Sequence, residues 1–300
     1  MRNKKGILFT VSSAIIFGIA PIFATMSYAY GNTAFNMMFF RNCFSIIVFI
    51  FIIRKKGLSL NIGKDNFKKM LIISLFGSFI TGICLYKAYT YIGVGTTTTI
   101  HFMYPFLVCI ANSIFFKESF GKVKIFYLIL CLFGVSFFVN LNDFENMKGV
   151  SIAFISAISY AFFMLYLEKQ KLTEIHPCVF CFYLSSIISI VLIIINFFIP
   201  IIIVELSWET LILMIISSIG TSFVASVLFN MGVKEIGSSK AAIFSLFEPI
   251  ASVAFGYIIL KETVTFNSIL GCVLLIIGIF GLSIYDMRKN QLEKLNKKYS

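Results

Sequence analysis

The chain has 300 residues, of which 59% are hydrophobic and 13% charged, and its mean hydropathy is +0.96. Soluble domains run nearer a quarter charged and rarely repeat apolar stretches of about 20 residues, the length that spans roughly 30 Å of hydrocarbon as a helix, so a water-soluble fold is excluded. The formal net charge of +12 does not mark a nucleic-acid binder, because the basic residues sit in short polar gaps between apolar runs and not along one groove-facing element.

In chain order, the apolar runs are about 7–30, 34–53, 70–91, 94–116, 124–141, 149–168, 177–200, 208–233, 240–260 and 266–285, which predicts ten transmembrane helices. The first run, opened by Arg2, Lys4 and Lys5, resembles a signal peptide. It continues to about Tyr30, too long for a cleaved apolar region, and reads as an uncleaved first helix. All seven cysteines lie inside or at the edge of apolar runs, where Cys behaves as a small hydrophobe, so no disulfide framework is expected. Cys178 and Cys181 form a lone CxxC after His176, read as packing in preference to a metal or redox site.

Placing the N-terminus in the cytoplasm gathers every Lys and Arg of the polar gaps on the inner side except Lys148 and Lys261. That is a positive-inside pattern for ten spans with both termini in the cytoplasm, in a cell (cytoplasmic) membrane. The chain also repeats itself. A shift of 144 residues lays Ile92-Gly93 on Ile236-Gly237, Pro105 on Pro249, Lys117-Glu118 on Lys261-Glu262 and Gly134 on Gly278, and a shift of 143 lays Lys5-Gly6 on Lys148-Gly149. The reading is a first five-helix repeat over 1–147, a second over 148–287 and a basic cytoplasmic tail over 288–300. Because five is odd, the second repeat is inverted, an arrangement that gives one fold two nearly equivalent states open to opposite sides.

The order and spacing of Phe39-Phe40-Arg41, Tyr91-Ile92-Gly93-Val94-Gly95, Tyr104-Pro105, Phe115-Phe116-Lys117-Glu118 and Leu260-Lys261-Glu262 resemble the drug/metabolite transporter superfamily, in its branch of EamA-type permeases, from about Gly6 to Tyr285. The resemblance implies an all-α membrane fold with a central cavity between two inverted halves, and a secondary transporter or exporter of a small organic metabolite. It does not fix the cargo.

Ionisable groups inside the apolar spans are Arg41, Lys87, His101 and Glu248. Facing lipid, a charge at mid-bilayer costs at least about 2.5–3.5 kcal/mol on insertion scales, so these are the candidates for a polar interior. Glu248, just before Pro249, is suited to a substrate ammonium or to a proton; its alternative role is to join helices. Arg41 and Lys87 suit a substrate carboxylate, although Arg41 could instead brace its helix and Lys87 could snorkel to the surface. His101 is a proton relay or a satisfied core histidine. Pro105 and Pro249 break their helices and remove the donors to the carbonyls of His101 and Ser245, leaving acceptors that could line a cavity. Tyr86, Tyr89, Tyr104, Tyr160, Phe163 and Asn230 are candidate cavity walls, Thr96 to Thr99 cap a helix start, and Glu118 and Glu262 are expected at structural or gating positions.

The expected partners are thus a small-molecule substrate of zwitterionic or cationic type and the lipid bilayer, with a homodimer left open and no nucleic acid. No cofactor or metal is expected, proton coupling being the one ion-linked option. A channel-like facilitator is the alternative, without evident charge rings or a carbonyl filter. An intramembrane enzyme is disfavoured: no Asp lies well within a span, there is no HExxH, and the chain has only two histidines.

Overall fold

In the computed structural model, residues 2–117, 121–139, 143, 145–261 and 263–299 are described, with the backbone alone for 2–3, 283 and 286–299. Among them every regular element is helical. The first half holds α1 (Arg2–Phe17), α2 (Ala20–Ala29), α3 (Ala34–Lys55), α4 (Lys64–Ile72), α5 (Ile80–His101), α6 (Tyr104–Phe116) and α7 (Lys122–Ser136). The second holds α8 (Met147–Lys169), α9 (Pro177–Phe198), α10 (Trp208–Ser217), α11 (Ser226–Ile236), α12 (Ser238–Phe244), α13 (Phe247–Phe255) and α14 (Phe266–Tyr299). Wider π-helical turns at Ile73–Phe79 and Ser218–Ala225 link α4 to α5 and α10 to α11, and a third, Gly256–Leu260, follows α13.

Seven helices among the described residues are long and apolar enough to cross a membrane, and Phe266–Leu282 is a shorter apolar helix. Two of the ten expected spans, 70–91 and 94–116, run together within one 53-residue helical stretch, Lys64–Phe116. A straight helix of that length would be about 80 Å long, far beyond the bilayer. It turns at Ile92 (φ −132°) and Gly93 (φ 67°), the second in a conformation that glycine adopts at no steric cost. α7, with 15 residues, is shorter than the expected span at 124–141. At the other end, α14 continues through 288–299, so that stretch of the expected tail is helical backbone.

The matching positions of the two halves also match in conformation. Gly93 and Gly237 (φ 79°) both have positive φ, and Lys117 (φ 53°) and Lys261 (φ 58°) both end their helices in the left-handed region. α1 packs on α11 as α8 packs on α5, while α3 pairs with α9 and α7 with α14. At the first of these contacts a Cβ on Gly6 would stand 2.5 Å from Ile236 Cγ2, and at the second a Cβ on Gly149 would stand 2.6 Å from Ile92 Cγ2. Lipid offers the carbonyls of a π turn no donor, so they need protein partners. Ser159 of α8 donates to the Gly77 carbonyl at 2.9 Å, and Ser13 of α1 donates to the Ala225 carbonyl at 2.8 Å.

Because both glycines sit at backbone-close crossings, Gly6→Ala and Gly149→Ala should each destabilise the detergent-solubilised protein by about 1–3 kcal/mol through overpacking. Gly220→Ala, whose new Cβ would meet only Ile16 Cγ2 at 3.7 Å, should be near neutral. Thermal unfolding of the three variants checks this; equal midpoints for all three would contradict the packing argument.

Candidate functional site

Three helix breaks converge on the centre of the molecule. α1 stops at Phe17 and α2 begins at Ala20, with Pro21 in its first turn; Ile19 N–H reaches back only to the Ile16 carbonyl, at 3.3 Å. α5 gives way to α6 at Phe102–Met103, and α12 to α13 at Ser245–Leu246, with Pro105 and Pro249 in the first turns that follow. A proline there loses nothing, since its missing N–H has no intrahelical partner in any case. One expectation needs correcting at this point. The Ser245 carbonyl is not left open by Pro249, because the chain tightens by one residue and Glu248 N–H donates to it at 2.9 Å.

Between these breaks lies a cavity of about 140 Å³, lined by parts of both halves. Cavities of about 150 Å³ hold a benzene-sized molecule, so the space suits a small solute. Phe17, Ala20 and Pro21 form one wall, Arg41 of α3 another, and Thr81, Tyr86 and Tyr89 of α5 a third. Tyr160 and Phe163 of α8, Phe180 and Cys181 of α9, Phe229 and Asn230 of α11, His101 and Glu248 complete it. Tyr160 stacks on Phe163 with ring centroids 5.7 Å apart, and Tyr104 stands edge-on to Tyr160 at 4.6 Å.

The formally charged residues of this lining are Arg41 and Glu248. The Arg41 guanidinium sits 5.4 Å from the Tyr86 ring centroid, and its Nη1 donates to Thr221 Oγ1 over a long 3.4 Å, while its Nε has no partner among the described residues. Glu248 is carried close to α1, where a Cβ on Gly18 would stand 2.8 Å from its backbone carbonyl. Asn230 is 1% exposed, yet neither its Oδ1 nor its Nδ2 has a hydrogen-bond partner among the described residues. His101 is tied back by Nδ1 to Ser156 Oγ at 2.9 Å, and the Ser156 hydroxyl donates to the Ala153 carbonyl at 2.6 Å. Since that hydroxyl proton is committed, Nδ1 is the donor of the pair and Nε2 is left as the second ring position for other contacts.

Of the residues singled out from sequence, Arg41, Tyr86, Tyr89, His101, Tyr160, Phe163, Asn230 and Glu248 therefore meet at one cavity. Tyr104 is fully buried behind His101, with ring centroids 5.2 Å apart. Lys87 is exposed on the opposite side of α5 and is no part of the wall. Pro105 and Pro249 are both buried, and Pro249 also borders a second, larger cavity of about 670 Å³ that Thr98 and Thr99 help to line. Pro21 borders both cavities. Glu118 and Glu262 lie outside the described residues. The sequence reading missed Pro21, Thr81 and Ser226, and it took Cys181 for packing alone. The Gly18-x-x-Pro21 pattern is the signal that marks the first of these, being a helix break inside an otherwise uniform apolar run.

An all-helical bundle with several membrane-length apolar helices packed around a central cavity defines a multi-pass membrane protein. Residues 4–140 and 147–284 each match the EamA-like transporter family, and the chain belongs to that family. It is 25% identical over 242 residues to the uncharacterized transporter YoaV of Bacillus subtilis, covering 78% of this chain and 81% of that one. An uncharacterized transporter of Archaeoglobus fulgidus is 24% identical over 281 residues, covering 92% and 93%. A solved crystal structure superposes with a TM-score of 0.77 at 12% identity, covering 93% of this chain and 98% of the other, a likeness of fold alone.

Asn230 gives this chamber a discriminating test. Replacing a buried, unpartnered amide with a residue of similar shape removes a desolvation penalty of about 1–3 kcal/mol, so Asn230→Leu should raise the thermal midpoint of the ligand-free protein. The same change should weaken solute-induced stabilisation. A fall in the ligand-free midpoint would mean that Asn230 already has a protein partner.

Proposed function

We propose that this protein is a secondary transporter, working as an exporter or importer of an amino acid or other small zwitterionic or cationic metabolite, by alternating access. The observation that carries the reading is the central cavity with Arg41 and Glu248 as its charged residues and the unpartnered Asn230 among its walls. A carboxylate fits the guanidinium, an ammonium fits the carboxylate, and an amide offers both a donor and an acceptor. Aromatic faces at Tyr86, Tyr160 and Phe163 suit the stem of such a solute or its cationic end. Glu248 is also the group through which a proton gradient would be coupled.

The proposal includes ten crossings, built as inverted repeats over 1–147 and 148–287. The run Lys64–Phe116 then crosses twice by folding back at Gly93, and α7 and the first part of α14 form a pair of short crossings. The distribution of Lys and Arg supports a cytoplasmic membrane location with both termini inside. Equivalent glycines, left-handed caps and helix pairings in the two halves favour a pair of exchangeable states over a fixed pore.

Uptake of a panel of amino acids, organic amines and organic acids into proteoliposomes tests the reading. Amino acids or amines are expected to be carried, with Glu248→Gln lowering their transport about tenfold or more by removing the counter-charge. Binding of organic anions only, with Glu248→Gln indistinguishable from the parent, would overturn it.

A further inference from the structure

The second cavity and a polar cluster at the far end of the molecule are images of one another under the internal repeat. In the cluster, Glu168 Oε2 of α8 accepts from Ser238 N–H at 2.9 Å and also from the Ser238 hydroxyl. Asn112 Nδ2 of α6 donates to Ser239 Oγ at 2.8 Å and to Ser238 Oγ at 3.3 Å. These contacts tie α6, α8 and the start of α12 together, drawing on both halves of the chain.

The same shifts that align the repeats carry Glu168 to Thr25, Ser238 and Ser239 to Val94 and Gly95, and Asn112 to Gly256. All four of these counterparts line the cavity of about 670 Å³. None can rebuild the clasp: Val94, Gly95 and Gly256 lack a polar side chain, and the Thr25 hydroxyl is engaged with the Pro21 carbonyl at 2.8 Å. Other lining residues behave alike. Pro21, Thr98 and Ser252 map onto Met164, Ala242 and Val108, each 0% exposed in packed interior. One end of the molecule is therefore an open vestibule, reaching the surface at Gly95, Thr265 and Asn267, and the equivalent place at the other end is filled.

We propose that the vestibule is the mouth through which solute reaches the central cavity, and that the Asn112–Ser238–Ser239–Glu168 clasp is the gate holding the opposite mouth shut. The inference rests on the transport reading above. In the orientation proposed there, the vestibule is outward and the clasp cytoplasmic. Opening the clasp would create at the inner end the space that the vestibule now occupies at the outer end. The two ends are unequal: the Glu168–Ser238 bonds of the clasp have no counterpart among the matching residues Thr25, Val94 and Gly95 of the vestibule.

Cys109 is a native reporter of this gate. It is 3% exposed and lies one helical turn before Asn112 on α6, and its repeat counterpart Val253 lines the vestibule. Alkylation by N-ethylmaleimide, followed residue by residue with mass spectrometry in the full-length protein, should be slow at Cys109. Glu168→Ala should raise that rate about ten- to a hundredfold, the worth of losing charge-assisted hydrogen bonds. Ser239→Ala, a milder change, should raise it less, and it decides the question alone if Glu168→Ala does not fold. Cys131, buried between α7 and α14, serves as the control and should keep its parental rate. An unchanged Cys109, or Cys109 and Cys131 accelerating together, overturns the gate. Unchanged Cys109 with intact Glu248-dependent uptake would sink the gate alone, whereas a Cys109 response without uptake of any solute would retain the gate and sink the transport reading.

Discussion

The structure depends on one constraint: in hydrocarbon, every backbone N–H and C=O must find its partner within the protein. A helix meets that demand automatically, and a break in a helix does not. The chain places its irregularities accordingly. Gly18–Ile19, Phe102–Met103 and Ser245–Leu246 interrupt helices only where other helices or the central cavity surround them. At each break the backbone tightens to a hydrogen bond spanning three residues instead of four, as from Leu246 N–H to the Ile243 carbonyl at 3.1 Å, and a proline follows in the next turn. The π turns obey the same rule, with Ser159 and Ser13 reaching across from the other half of the chain to their carbonyls. Breaks are what bring Pro21, His101 and Glu248 together around one space, so the constraint that orders the bundle also locates its site.

Much of this was legible in the sequence because hydropathy and charge report directly on the solvent. The apolar runs, the repeat and the shared break at Pro105 and Pro249 all follow from periodicity and residue type. The ionisable residues buried in those runs were also informative: Arg41, His101 and Glu248 do reach the central cavity. Lys87, for which surface snorkelling was the other reading, lies outside the cavity wall for a definable reason. Successive residues of a helix turn by about 100°, so the face that carries Tyr86 and Tyr89 inward turns the intervening Lys87 outward. Hydropathy is blind to that phase. It is equally blind to Gly18 and Pro21, which divide the first run without making it less apolar, and to the fit of Gly6 and Gly149 against the helices that cross them.

The two halves share a scaffold and differ in chemistry. Tyr104 and Glu248 occupy equivalent positions, each immediately before the proline of its break, and His101 is the counterpart of Ser245. One half thus contributes a phenol and an imidazole where the other contributes a carboxylate and a hydroxyl. Backbone geometry stays alike in the two halves, where Gly93 and Gly237, and likewise Lys117 and Lys261, share their unusual φ values. Side chains facing the shared cavity carry no such requirement, because a single cavity needs only one set of charges. Divergence at those positions while the turns are retained is what a duplicated fold with one central site requires.

The proposed clasp extends this asymmetry to energetics. Two states related by an inverted repeat would be equally stable if the halves were identical, and any difference must come from contacts made in one state alone. If that clasp is the inner gate, contacts from Glu168 and Asn112 to Ser238 and Ser239 would be made only with the inner end closed, and Thr25, Val94, Gly95 and Gly256 offer no side-chain set that matches them. In the proposed cycle, those contacts would favour the state with the vestibule open. A solute or a proton that binds both states equally cannot move that balance, however tightly it binds. In the proposed cycle it would have to interact better with the state that opens inward, and Glu248, whose turn packs directly on the α1–α2 break at Gly18, would be the residue linking occupancy of the cavity to movement of the helices around it.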